Sequence, residues 1–190
     1  MTIRQPFGTD ANPKTDKTSV NVGAVTTAAT TTVVEQGNAV THKTVLTLTD
    51  FVVGSATGAA ALAFGAKVYT LPAGAQIIDA SYFSLAATGT TTIVGDTPEI
   101  GIGSTIGTGV IATLSTTMED YILGSPASAA ISGATALVKL TGVTAGAVTG
   151  IALNVAASSK EIYVNCADTW AGTGDVTVTG TIVLTWKSIA

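Results

Sequence analysis

The chain is short of charge. Lys, Arg, Asp and Glu together make up 11% of its 190 residues, against about 25% in an ordinary soluble protein. It has one His and one Cys. So few ionisable groups leave little from which to build an acid–base or nucleophilic site. We therefore expect no enzyme, no cofactor and no metal centre. The shortage bears on solubility as well. A surface with few charges resists association badly, which points to a subunit of a larger assembly.

Other absences narrow the reading further. A lone Cys166 excludes an intrachain disulfide, and as a thiol far in sequence from His42, the only His, it reads as a small core hydrophobe. Folding without covalent staples suits a bacterial cytoplasm. The eight Lys and Arg are scattered, and Asp10 and Asp16 dilute the one grouping, Arg4, Lys14 and Lys17; no nucleic-acid partner is expected. No secretory signal is expected, because residues 1–17 are polar with Pro6 and Pro13. The softest run, residues 54–66, is too short and too weakly apolar to span a membrane. No N-x-S/T sequon occurs. Aromatic residues are only 5%, a poor supply for a sugar-binding platform.

In their place stand Thr, Ala, Gly and Val. Residues 1–40 differ from the rest. They carry two of the five Pro, a Thr/Ala-rich stretch at 26–32 and a single aromatic, Phe7. β-branched Thr and Val favour extended backbone, so we expect an extended N-terminal arm over 1–40. Pro6, Phe7 and Pro13 are its candidate partner-binding residues, with Phe7 placed to insert into a neighbour's pocket.

From residue 41 a period of two takes over, the mark of half-buried strands. Residues 44–49, 67–71, 76–85, 99–103, 110–114, 136–140, 151–155, 161–165 and 175–186 are expected strands. In the first, Leu46 and Leu48 take one face and Thr the other. Pro72 and Gly74 make a turn. In the last, Val176, Val178, Ile182, Leu184 and Trp186 share one parity, and Gly180 marks a bulge or bend. One helix of about two turns is expected over 116–123, from the Thr116-to-Glu119 capping box and the stop at Gly124 to Pro126. Short strands with Gly-rich turns and no alternating helices predict an all-β antiparallel sandwich or jelly roll over 41–190.

The possible chemical motifs are weak. Gly101, Gly103 and Gly107 miss the dinucleotide-loop spacing by one residue, and no βαβ unit surrounds them. Asp168 and Asp175 flank a Gly-bearing loop in which a surface calcium site is conceivable, though a hydrated turn is commoner. Glu119 with Asp120 and Asp96 with Glu99 are carboxylate pairs, Glu119 reading better as a helix cap. His42 reads as solvated or half-buried.

Residues 42–48, 67–75, 100–103 with 116–122, 160–165 and 175–186 resemble structural proteins encoded near the capsid genes of tailed bacteriophages. The resemblance runs over roughly 42–187 and leaves 1–40 without a counterpart. It implies a head decoration, or cement, protein: a β-sandwich on the outer surface of the virion capsid that binds the major capsid protein, commonly as a homotrimer, with no catalytic residues. It also implies that the last two segments form a C-terminal β-hairpin. The alternative is a receptor- or carbohydrate-binding sandwich of a tail fibre or surface layer, for which Tyr69, Tyr82, Tyr121, Tyr163, Trp170 and Trp186 are the available aromatics. A sandwich hydrolase would need convergent carboxylates. A major capsid protein of the usual tailed-phage fold would need a long helix.

Overall fold

A computed structural model describes residues 24–25, 30–37, 41–77, 81–131, 133, 135–140 and 160–188. Among them, eleven strands build two antiparallel sheets. They are β1 (Ala24–Val25), β2 (Thr31–Gly37), β3 (Thr41–Thr57), β4 (Ala61–Leu71), β5 (Ala75–Ile77), β6 (Tyr82–Gly89), β7 (Glu99–Gly103), β8 (Ile122–Pro126), β9 (Thr135–Leu140), β10 (Lys160–Thr169) and β11 (Thr173–Ser188). Sheet A runs β1-β4-β10-β7-β8 and sheet B runs β2-β3-β11-β6-β9, with β5 pairing beside β6 on β11.

The order fixes the architecture. From β3 onward, strands consecutive in sequence change sheet at almost every step; β7 and β8 alone stay together as a hairpin, and β5 is a short addition to sheet B. The result is two four-stranded halves, β3-β11-β6-β9 and β4-β10-β7-β8, which is the interleaving of a jelly roll. The expected all-β sandwich is what forms.

Side-chain alternation explains how the halves close. Leu46, Leu48, Phe51 and Val53 from β3 meet Val176, Val178, Ile182, Leu184 and Trp186 from β11 and Phe83 and Leu85 from β6. Sheet A contributes Val68 and Leu71, Ile100 and Ile102, and Ile162, Val164 and Cys166. All are essentially inaccessible to water, and each such side chain contributes roughly 1.5–3 kcal/mol by burial. The bulge expected at Gly180 is present: β11 shifts register against β3 between Val178 and Gly180. Opposite it, Asp50 takes a positive φ of 47° and its N–H donates to Thr179 Oγ1 at 2.9 Å.

Several expectations need correction. The arm expected over 1–40 includes residues 31–37, but they form β2, the edge strand of sheet B, and residues 24–25 pair with β4 in sheet A. The boundary at residue 40 therefore falls inside the β2–β3 hairpin. Thr31 is buried and Val33 packs on the core; the Thr-rich composition masked this period of two. Pro6, Phe7 and Pro13 lie outside the described residues, as does the expected strand at 151–155.

The helix expected over 116–123 shrinks to one 3-10 turn, Thr116–Met118, without a side-chain cap. Ile122 and Leu123 already belong to β8. Residues 110–114 form no strand, and 76–85 splits into β5 and β6. The C-terminal pair is no hairpin. β10 lies in sheet A and β11 in sheet B, because the short link after Trp170 crosses the end of the sandwich.

Candidate interaction surface

The outward face of sheet B follows from the register of its strands. Thr32, Thr47, Thr181 and Ser84 stand opposite one another in a row across β2, β3, β11 and β6. The adjacent row is Val34, Val45, Val183 and Tyr82. Val34 is half exposed at the edge, whereas Val183, between Val45 and Tyr82, is closed off from water. Thr49, Val52, Thr177, Thr179 and Thr185 extend the surface along β3 and β11. On β9, Lys139 stands opposite Ser84. Within β2, β3, β11 and β6 outward charge appears only towards the ends: Lys43 and Lys187 at one, Asp50 and Asp175 at the other. Between them lies a broad sheet face of hydroxyls and methyl groups. β-branched side chains stand stiffly on such a surface, so little side-chain entropy is lost when it is covered.

The outward face of sheet A is already covered. Residues 104–121 lie across it, and Ala63, Leu114 and Ala167 form a second small cluster with Ile111 and Met118. The strands beneath are built of small residues for this reason. A Cβ at Gly103 would collide with the Met118 backbone, and one at Gly65 with the Asn165 side chain. Asn165, fully buried, holds the cover down. Its Oδ1 accepts from Gly107 N–H at 2.7 Å, and its Nδ2 donates to the carbonyls of Thr105 at 2.9 Å and Met118 at 2.6 Å. Asp120 accepts from the N–H and Oγ of Ser104 at 2.7 and 2.8 Å. The Gly101 and Gly103 pair thus serves close packing.

The carboxylates hold this cover too. Glu99 accepts from Leu114 N–H at 2.8 Å, and Glu119 from Gly124 N–H at 2.6 Å. Glu119 is thus no helix cap. Burial, and secondarily the charge of Glu119, pushes the Glu99 carboxyl above its usual range. At the open edge of the same face, Lys67 Nζ sits 2.8 Å from Glu161, and Tyr163 OH donates to that carboxylate. The Lys67 bond, then the Tyr163 bond, holds Glu161 below its usual range.

His42 is buried, a departure from the solvated or half-buried placement expected of it. It shares the inward parity of Thr44, Leu46 and Leu48, and its ring stacks on Trp186 with centroids 4.0 Å apart. Thr44 faces inward as well, unlike the other Thr of β3: its Oγ1 accepts from the Trp186 indole at 2.8 Å and donates to Glu35 at 3.3 Å. Tyr69 OH donates to the same Glu35 oxygen, so one carboxylate on β2 ties both sheets together. Cys166 is fully buried, and burial pushes its thiol well above the usual range. Tyr69, Tyr121, Trp170 and Trp186 are all buried, leaving Tyr82 and Tyr163 on opposite sheets. The loop pairing of Asp168 with Asp175 does not form. Asp175 accepts from Ser55 Oγ on β3, while the charge of Asp168 is felt by Asp96.

Among the described residues, no three His, Cys, Asp or Glu side chains converge as a metal-ligand set, and no helix is long and apolar enough to cross a membrane. No protein-family model, curated protein or solved structure matches the chain.

Proposed function

We propose that this protein is a structural component of a tailed-phage virion, decorating the outer surface of the capsid and clamping neighbouring major capsid subunits, with homotrimer formation as its mode of self-association. One observation carries the reading: the open face of sheet B, a wide, nearly uncharged surface of Thr and Val on a rigid jelly roll. A face of this kind supports extensive contact with another protein surface, since few charges must be desolvated on docking. The resemblance over 42–187 supplies the class of partner. The rival carbohydrate-binding reading is weakened because four of its six aromatics are spent in the core.

Co-sedimentation with expanded phage shells tests the reading, together with mass spectrometry of purified particles. Saturable binding at a fixed copy number per shell is the expected result. Failure to pellet with shells, with specific retention on a glycan array instead, would turn the assignment to the rival. The arm is tested separately. Removing residues 1–23 leaves β2 in place and should weaken shell binding while the melting temperature stays unchanged; Phe7→Ala should reproduce part of that loss, about 1–3 kcal/mol if the ring is an anchor.

A further inference from the structure

Two carboxylates at one end of the sandwich are incompletely satisfied. Asp96 lies in the link between β6 and β7 and is only 5% exposed. Its Oδ1 accepts from Ala171 N–H at 2.9 Å, and its backbone carbonyl accepts from Ile131 N–H at 3.0 Å. Asp168 lies near the end of β10, in phase with the inward row of Ile162, Val164 and Cys166. Its Oδ1 accepts from Thr169 N–H at 2.7 Å. Each carboxylate thus spends one oxygen on a backbone donor. The other oxygen of each, Asp96 Oδ2 and Asp168 Oδ2, is buried and has no hydrogen-bond partner.

A buried anionic oxygen without a donor is costly, and two that sense each other's charge are costlier. Burial, together with Asp168, pushes the Asp96 carboxyl up. No Lys or Arg is bonded to either group in the described residues. We propose that Asp96 and Asp168 form a site for calcium, their two unpartnered oxygens serving as its anionic ligands. Oxygen-only, carboxylate-based coordination suits a hard cation. Calcium tolerates irregular geometry, whereas magnesium demands a compact octahedron. Zinc would call for thiolate or imidazole, and the Cys166 thiol is held protonated by burial. With only two carboxylates, backbone carbonyls and water complete the shell, which places the affinity in the weak range of about 0.1–1 mM.

Trp170, two residues beyond Asp168 in sequence, provides the reporter. It is buried, with its N–H bonded to the Ala60 carbonyl and its indole to the Leu62 carbonyl at 2.8 Å. The full-length protein, stripped with EDTA, is titrated with calcium chloride to about 10 mM in thermal melts, and with terbium in parallel. The expected result is a saturable rise of a few degrees, and tryptophan-sensitised terbium emission that calcium displaces. Asp96→Asn, which keeps an acceptor for Ala171, should abolish both responses and melt in EDTA no lower than the unsubstituted protein. Asp168→Asn repeats the test should the first variant fold poorly. Equal melts in calcium and EDTA overturn the proposal. So does an Asp96→Asn protein that still responds to calcium. Stabilisation by mild acid with no calcium effect also overturns it, and shows that the two oxygens share a proton instead.

Discussion

The two outer faces of the sandwich solve the same problem differently. Both belong to a chain with little charge to spend on its surface. Sheet A is roofed by its own residues 104–121, which settle onto Gly101, Gly103, Ala63 and Ala167. Sheet B carries Thr and Val where sheet A carries Gly and Ala, and no segment of the described chain lies across it. Small residues invite a close-packed cover made in cis. Stiff β-branched residues keep a face flat and bar such close approach. The difference teaches that composition alone separates an internal interface from an outward one in this fold.

The largest effect is expected from unfastening the roof. Asn165→Ala leaves Gly107 N–H and the Thr105 and Met118 carbonyls without their partner, at a cost of about 3 kcal/mol. Urea denaturation should show a lowered midpoint. A shift below about 0.5 kcal/mol would mean that Asn165 does not hold the cover. Gly103→Val comes next. Its side chain meets the Met118 backbone, which cannot swing aside as a flexible side chain can. Overpacking should cost about 2 kcal/mol, with more rapid hydrogen exchange confined to residues 104–121 as the sign that the roof lifted.

How legible was this contrast in the sequence? The strands with strict alternation of large apolar residues, β3, β7, β10 and β11, were visible because burial on one face imposes a period of two. β2 was hidden because Thr31, Val33 and Glu35 alternate with Thr32, Val34 and Gln36, so inward and outward residues are nearly alike in polarity. The helix expected at 116 failed because Glu119 of its capping box is claimed by Gly124, and the next residue, Asp120, is tied to Ser104. Gly101 and Gly103 were seen, but not what lies on them, since a loop's resting place depends on contacts far apart in the chain. The same limit explains Asp96 and Asp168. Sequence spacing suggested Asp168 with Asp175; the crossing between sheets sends Asp175 to Ser55 instead.

On sheet B the comparison predicts the opposite behaviour. Thr47 and Thr181 are neighbours in the central row, and neither packs in the core. Thr47→Lys with Thr181→Lys should change stability by no more than about 0.5 kcal/mol each. The like charges now placed side by side should nevertheless abolish self-association and shell binding, read by sedimentation equilibrium and co-sedimentation. If the doubly substituted protein assembles normally, the open face is not the docking face. If it unfolds, the face is less independent of the core than its exposure implies.

The smallest effect separates the faces by pH. Glu99 lies under the roof of sheet A, where burial and Glu119 raise its carboxyl above the usual range. Below the ordinary carboxylate range the group is protonated whether the chain is folded or unfolded, and it makes no difference to stability. As pH rises through that range, the unfolded chain releases its proton first. The folded chain holds on until its own higher value is passed, so stability falls across the window and stays lower above it. Glu99→Gln cannot ionise, and its amide oxygen can still accept from Leu114 N–H. The variant should therefore melt a little above the unsubstituted protein at pH 7–8, and the gap should close towards pH 4. Asp96 contributes a slope of the same sign but is common to both proteins, so the difference between the two curves belongs to Glu99 alone. Because no carboxylate lies in the central rows of sheet B, the loss of shell binding by the Thr47 and Thr181 variant should show no such window. A gap that widens towards acid would mean that burial under the roof, with Glu119 beside it, does not raise the Glu99 carboxyl.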